Sequence, residues 1–385
     1  MVRPAAAKHS DMLRKLWRFM AIYGPGRAAF KAAGRLRLRL PTLTMRPKSQ
    51  DIGLIGCGQF AFATIGYFIR RAHGARIAAC FDIDERAARS LAMALRVPRI
   101  CASADELLST PGLRTVYIAS NHASHADYAV RALERGLDVY VEKPVAVDDV
   151  QFARLVDAAR RSRGRLFAGY NRPFSAAVRW LRDFAAQEPP GPVTLQCLVC
   201  GHVLGPDHWY RHPAEGTRVC GNIGHWLDLF VHVLSWRALP DTLRISLTWA
   251  DEADPDENLN ISMASEHGDL CAITLTARSE PFEGIREVIH FQQGSTLAEI
   301  EDFRRMTVWT GPRRQTRRFW PKDVGHGRAI LQPYSTAPAR DWREVERSTA
   351  LMLHITSMVR RREPRSDFSF VAAQAALEAR IAAVS

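Results

Sequence analysis

No stretch of this 385-residue chain holds the roughly 18 consecutive apolar residues that a membrane-spanning helix requires. Its start also lacks the apolar core of roughly 7–15 residues and the small-residue cleavage site of a secretory signal, so none is expected. Cysteine is sparse and scattered: seven residues, an odd number, at spacings that suggest no disulfide framework. Cys197 and Cys200 form one C-x-x-C, but inside an apolar run where residues three apart would face opposite sides of a sheet. No second pair stands at zinc-site spacing, and no His/Cys/Asp cluster has metal-ligand spacing, so metal-free chemistry is expected. A reducing cytoplasm fits this cysteine usage. Internal repeats are missing, and no low-complexity tract stands out beyond a basic arm. Acid is nearly missing from residues 1–49, where Asp11 alone stands against twelve Lys and Arg. That arm carries +11 of the net +13, which leaves the remaining chain close to neutral and without the basic surface that general nucleic-acid binding needs.

What is present begins with the arm. Residues 11–23 place Leu13, Leu16, Trp17 and Met20 at helical spacing, with Arg14, Lys15 and Arg18 elsewhere on the surface. Gly24-Pro25-Gly26 stops this helix, a second basic helix is expected around Arg27 to Leu38, and Pro41 and Pro47 mark a linker. Three roles stay open for the arm: packing on the body or on a neighbouring subunit, lying on an anionic membrane surface, or acting as a flexible or targeting tail.

From residue 50 the chain alternates strand and helix. An apolar run ends in Gly56-Cys57-Gly58-Gln59-Phe60-Ala61, which fits G-x-G-x-x-G/A, a turn that seats a dinucleotide pyrophosphate on a helix N-terminus. Gly56 permits the tight turn, Gly58 the close backbone approach, and Ala61 the close packing of helix on strand. The helix runs to about Arg71. A second strand ends at Asp82, 24 residues beyond Gly58, where a carboxylate would accept hydrogen bonds from the adenosine ribose and repel a 2′-phosphate. This favours NAD over NADP, with Arg86 close enough to soften the preference. Asp82 could also cap the next helix. Ser103 and Glu106 form a capping box for another helix. Further strands end in Ser120–His125 and in Glu142-Lys143-Pro144. Strands alternating with helices imply a doubly wound parallel sheet, which binds ligands at its strands' carboxyl ends, where these three polar clusters fall. Beyond Asn171, strands following strands predict a largely antiparallel sheet, then a long Arg/Pro/Gly-rich loop over 313–339 and two C-terminal helices at about 340–361 and 367–382, separated at Pro364.

The G-x-G-x-x-A turn, the acid after the second strand and the E-K-P after a later one resemble the Gfo/Idh/MocA oxidoreductases. Gly169-Tyr170-Asn171-Arg172-Pro173 is similar to the family's segment just past the nucleotide domain, and His225-Trp226-Leu227-Asp228 to its H-x-x-D helix. The likeness covers about residues 50–385. It implies an α/β Rossmann domain over 50–170 and an α+β domain with a largely antiparallel sheet over 171–385, whose C-terminal helices can pack back on the first. It also implies a homo-oligomer and an NAD(P)-dependent dehydrogenase or reductase acting on a secondary alcohol of a sugar, nucleotide sugar or cyclitol. Cofactor contacts then fall on Gly56, Gly58, Gln59, Phe60, Ala61, Asp82 and Arg86. Others fall on Ser120, Asn121, His122 and His125, and on Glu142, Lys143 and Pro144. Lys143 and His225 would carry the proton chemistry and Asp228 would orient His225 or bind a substrate hydroxyl. Each has an ordinary counterpart: Lys143 as a surface lysine, His225 as a satisfied helix histidine, Glu142 as a structural carboxylate that positions its loop. Tyr170, Arg172, Trp209, Tyr210 and Arg211 offer aromatic surfaces and cations to a sugar-like or anionic substrate. The chain departs from the family pattern at Gly221, where many members carry Asp, and at Ser120-Asn121, where many have Thr-Pro. Two other readings keep the cofactor: a non-redox enzyme using NAD transiently, as in glycoside cleavage, and a non-catalytic NAD-binding sensor or scaffold.

Overall fold

A computed structural model describes residues 14–15, 17–36, 38 and 49–384. The start of the first basic helix and the linker at Pro41 and Pro47 lie outside the described residues.

Six parallel strands form the first sheet: β1 (Ile52–Ile55), β2 (Ile77–Phe81), β3 (Arg99–Ile100), β4 (Thr115–Ile118), β5 (Asp138–Val141) and β6 (Leu166–Ala168). Their order is β3-β2-β1-β4-β5-β6, so the crossovers change direction between β1 and β4. β1 and β4 bury every residue, as strands covered on both faces must. The crevice at a strand-order reversal opens at the strands' carboxyl ends, which places Gly56 and Ser120 at its floor. The helix after β1, expected to run to about Arg71, ends at His73 but is not α-helical throughout. It opens at Gln59, passes through a π-helical turn at Ala61–Ile65 and becomes α-helical over Gly66–His73. The expected capping box is half-formed: Ser103 Oγ accepts from Glu106 N–H at 3.1 Å, but the Glu106 carboxylate reaches Ala102 N–H. Asp82 does not cap the helix Glu85–Leu95; Asp84 does, accepting from Arg86 N–H at 2.9 Å.

The second sheet has nine strands: β7 (Val193–Cys200), β8 (Thr242–Trp249), β9 (Leu259–Ser265), β10 (Leu270–Thr276), β11 (Arg286–Gln293), β12 (Thr296–Glu301), β13 (Arg305–Thr310), β14 (Arg313–Arg318) and β15 (Arg365–Ser369). In the order β14-β13-β12-β11-β7-β10-β9-β8-β15, its pairings are antiparallel except for β7 with β10. β7 alternates buried and exposed, putting Cys197 in the core while Cys200 points to the other face. Two expectations are corrected. The stretch 313–339 is not one loop but holds edge strand β14, the helix His326–Ile330 and a 3-10 turn at Gln332–Tyr334. The C-terminal helices are Trp342–Arg361 and Phe370–Val384, with β15 between them. The last helix packs back on Asp149–Arg161 of the first domain, where Arg160 donates to both oxygens of Glu378 at 2.6 and 2.7 Å.

Apolar side chains from one face of the parallel sheet, including Val116, Ile118 and Val141, run without a break into the core of the second sheet around Trp226 and Phe230. The other face, with Leu54, Phe62, Ile65 and Tyr117, forms a separate cluster. The arm packs on that side: residues 17–23 are helical, Gly24 turns at φ +81, and a helix follows over Pro25–Leu36. Gly34 leaves room for the Phe62 ring, the Gln59 amide donates to Lys31 C=O at 3.3 Å, and Ala28 and Ala33 are buried. The end of the arm's first helix reaches the second domain through Trp320 Nε1 to Ala21 O and Lys322 N to Ile22 O, both 2.8 Å.

Candidate active site

One cleft of about 1050 Å³ runs from the glycine turn to the helix Gly224–Leu234. At its first end, Gly56 has φ +87, and a Cβ there would lie 2.4 Å from Ala119 O, so only glycine suits the turn. At Gly58 a Cβ would meet no atom within 4 Å, which leaves open room on the cleft side. That room lies beside the first backbone N–H groups of the helix, and together they fit a pyrophosphate. Gln59 and Phe60 line the cleft, and Ala61 is buried against the sheet. Asp82 faces the same space. Its carboxylate accepts from Cys57 N–H at 2.5 Å and Asp84 N–H at 2.8 Å, which joins the ends of β1 and β2 and keeps lone pairs for a further donor. Arg86 is exposed and does not line the cleft.

Ser120, Asn121, His122 and His125 line the cleft beyond β4. Sequence reasoning missed their partner, the buried Glu215. Its carboxylate accepts from Asn121 Nδ2 at 2.6 Å and Ala123 N–H at 3.0 Å, and its carbonyl lies 3.1 Å from His122 Nδ1. No motif marks Glu215, because its partners lie more than 90 residues away. His125 is a clip: Nδ1 lies 2.8 Å from Pro144 O and Nε2 3.1 Å from Ser120 O. Burial lowers the pKa of both histidines, with Lys143 nearby as a further cause.

The Lys143-Pro144 peptide is cis, and Pro144 is buried behind the cleft. Glu142 is buried and accepts from Tyr140 OH at 2.8 Å; burial pushes its carboxyl up to about 7. Lys143 reaches across to the second domain and donates to Gly221 O at 2.6 Å. Burial pushes its ammonium down to about 8, against the pull of Glu142. His225 lines the same space, held neutral by burial and by Arg172 and Lys143, and its Nδ1 has no hydrogen-bond partner among the described residues. Gly221 is missing a side chain for a visible reason. A Cβ there would lie 2.6 Å from Tyr210 Cε2 and 3.1 Å from His122 Cε1, so the Tyr210 ring fills the space an acid would need. Trp209, 44% exposed, and Tyr210 pack on His122 at ring distances of 4.7 and 4.6 Å and form one wall.

Four expected site residues are used otherwise. Asp228 neither orients His225 nor faces the cleft. It is fully buried and accepts two bonds from Arg340 Nη1 at 2.9 and 2.8 Å and one from Ser348 Oγ at 2.9 Å. Three residues along a helix brought it near His225 in sequence, but its carboxylate turned to the buried Arg340. Tyr170 is 1% exposed, with its hydroxyl against Met352, and offers nothing to a substrate. Arg211 points away, donating to Asp254 at 2.7 Å and Glu257 at 3.1 Å and tying its own loop to residues 204 and 205. Arg172 does line the cleft, but its guanidinium is committed to a bidentate pair with Glu287, both bonds 3.1 Å, and lies over the Trp226 ring at 4.6 Å. The cleft also holds Arg27 and Lys31 of the arm, His326 and Arg218, none foreseen. The spacing of Arg27 and Lys31, four residues apart on a predicted helix, was the signal that could have put them on one face.

Residues 51–170 match the family model described as "Oxidoreductase family, NAD-binding Rossmann fold" (Gfo/Idh/MocA). The match is confined to the first, parallel-sheet domain. Inositol 2-dehydrogenase of Ralstonia nicotianae is 28% identical over 192 residues, 48% of this chain and 53% of that protein. Inositol 2-dehydrogenase of Burkholderia multivorans is 31% identical over 159 residues, 40% of this chain and 47% of that protein. The chain thus matches about half the length of these curated relatives. Two solved structures share the whole two-domain fold. GenD2 from gentamicin A biosynthesis, in complex with NAD, has a TM-score of 0.68 at 17% identity, covering 86% of this chain and 99% of that one. Levoglucosan dehydrogenase, in complex with NADH and levoglucosan, has a TM-score of 0.68 at 12% identity, covering 84% and 100%.

Proposed function

We propose that this protein is an NAD(H)-dependent dehydrogenase or reductase acting on a secondary alcohol of a sugar, nucleotide sugar or cyclitol. The observation that carries this is Lys143: an amine poised near neutrality at a strand's carboxyl end, beside a neutral His225, in the cleft that begins at the glycine turn. Relatives named as inositol 2-dehydrogenases support the substrate class.

The glycine turn would hold the pyrophosphate, Asp82 the adenosine ribose, and Asn121 and His122 the nicotinamide side. The carboxylate at Asp82 favours NAD, since it would repel a 2′-phosphate. Ile83, 89% exposed at the cleft edge, offers an apolar face for adenine. When bound, the nicotinamide accepts or supplies the hydride. Lys143 performs the proton transfer: with a pKa of about 8, its amine and ammonium are both populated in the working range, where general acid–base catalysis is most efficient. His225, kept neutral, hydrogen-bonds the substrate oxygen through its imidazole rather than acting as the main base. Trp209 and Tyr210 stack against the ring of the substrate. Asp228 takes no part in the chemistry.

The test is NADH titration by fluorescence together with turnover on a panel of cyclitols and sugars. Lys143→Ala is expected to lower kcat by about 100-fold or more while the Kd for NADH stays within a few-fold. In the oxidation direction the wild-type rate should rise with pH and level off above about 8, because the free amine is the base; the reduction direction should show the opposite limb. Normal turnover by Lys143→Ala would sink the mechanism.

A further inference from the structure

The cations that line the cleft divide into two groups. Arg172 is paired with Glu287, Arg218 with Glu257 at 2.7 Å and Lys322 with Asp302 at 2.5 Å, while Lys143 lies next to Glu142 and donates to Gly221 O. Arg27 and Lys31 differ: among the described residues neither makes an ion pair with a carboxylate. Both are half-buried and line the cleft, carried by the helix Pro25–Leu36.

Their close ring partners are aromatic, and Asp323 is the acid that acts on Arg27. The Lys31 ammonium lies 3.9 Å from the Phe19 ring centre, and the Arg27 guanidinium lies 5.0 Å from Tyr23 and 5.2 Å from Phe68. Aromatic faces orient a cation but leave its N–H donors unspent. Burial lowers the pKa of both groups, Lys31 to about 8, with Arg35 and Arg27 adding to the effect at Lys31. Two desolvated positive charges four residues apart on one helix repel each other unless an anion sits between them and the facing wall. That facing wall is the glycine turn. The Gln59 side chain bonds Lys31 C=O, Gly34 of the same helix seats against Phe62 and Gln59, and Gly58 leaves open space on the cleft side. The helix is therefore fixed to the turn, and its two cations share one cavity with it.

We infer that the N-terminal helix Pro25–Leu36 completes a phosphoryl-binding site in this cleft, with Arg27 and Lys31 supplying charge beside the glycine turn. The inference rests on the dinucleotide reading of that turn. The phosphoryl group can come from the cofactor's pyrophosphate or from a phosphorylated or nucleotide-linked sugar substrate; the chemistry that recognises it is the same.

The test uses the full-length protein and the double variant Arg27→Met/Lys31→Met, which keeps the apolar stems against the aromatic rings and removes the charges. Thermal unfolding without ligand should be nearly unchanged, which separates loss of charge from loss of the arm's packing. Kd is then measured by titration for NADH and for UDP-glucose as the phosphorylated sugar probe, at low and physiological salt. A rise of about tenfold or more in the Kd for NADH, with a shallower salt dependence, assigns the site to the cofactor. The same rise for UDP-glucose with NADH unchanged assigns it to the substrate. Unchanged Kd for both overturns the inference while leaving the dinucleotide reading intact. Failure of the wild-type protein to bind NADH overturns both.

Discussion

Lys143 ends on a backbone carbonyl rather than on a side chain. Gly221 O accepts from Nζ at 2.6 Å, and the missing side chain is replaced by the Tyr210 ring. Gly221 is therefore fitted to the Tyr210 ring, and an acid introduced there alone should fail. Gly221→Asp would drive its Cβ into Tyr210 and cost about 1–3 kcal/mol by overpacking. Combined with Tyr210→Ala, that penalty should largely disappear, giving a coupling energy of about 1 kcal/mol or more in a double-mutant cycle of unfolding free energies. Strict additivity would show that the two residues do not compete for the same space. At this scale the sequence was readable where chemistry is consecutive. Gly56–Ala61 and Glu142–Pro144 each announce themselves within a few residues, and the structure brings both to one cleft. It was unreadable where a side chain's fate depends on a distant partner. Arg172 meets Glu287 115 positions away and Asp228 meets Arg340 112 away. Spacing along one helix could not foresee either.

Among the elements, the helix Gly224–Leu234 shows how a site is held from behind. Its front carries His225 toward the cleft, and its back is fastened to Trp342–Arg361. Asp228 bonds Arg340 and Ser348, and His232 Nδ1 lies 2.8 Å from Glu344. Asp228→Ala would leave Arg340 buried with part of its charge unmatched, a loss of about 3–5 kcal/mol in denaturant unfolding. The Kd for NADH should stay within about twofold, since Asp228 does not line the cleft. A large loss of NADH affinity in a still-folded variant would return Asp228 to the site. The parallel strands were legible because near-continuous apolar runs bounded by polar clusters have few other readings. Strand β14 was not: its six residues, Arg-Arg-Gln-Thr-Arg-Arg, are all exposed and carry no alternation. Pairing with β13 makes it a strand, and its arginines suit an edge that must not recruit another chain. β15, with Phe368 as its buried residue, was hidden for the same reason.

Across the whole molecule, the first domain and the second share an uninterrupted core, and the arm joins them again on the outside through Ala21 and Ile22. The net charge told of a basic arm but not of its destination. Helical periodicity located the helix around Arg27 to Leu38, and only tertiary packing carries its cations to the cleft. Among the described residues no helix is long and apolar enough to cross a membrane.

The placement of that charge has a consequence for speed as well as for strength of binding. Residues 1–49 carry +11 while the remainder of the chain is almost balanced, and the part of the arm that is described stands at the cleft. A dinucleotide or other polyanion diffusing nearby would be drawn toward one side of the protein, a field that acts before any contact forms. Stopped-flow association of NADH should therefore slow by several-fold between about 0.02 and 0.2 M salt, as the Debye length shrinks from about 20 to about 7 Å. The unimolecular dissociation rate should change far less. An association rate indifferent to salt would mean that the arm's charge is neutralised before a ligand arrives.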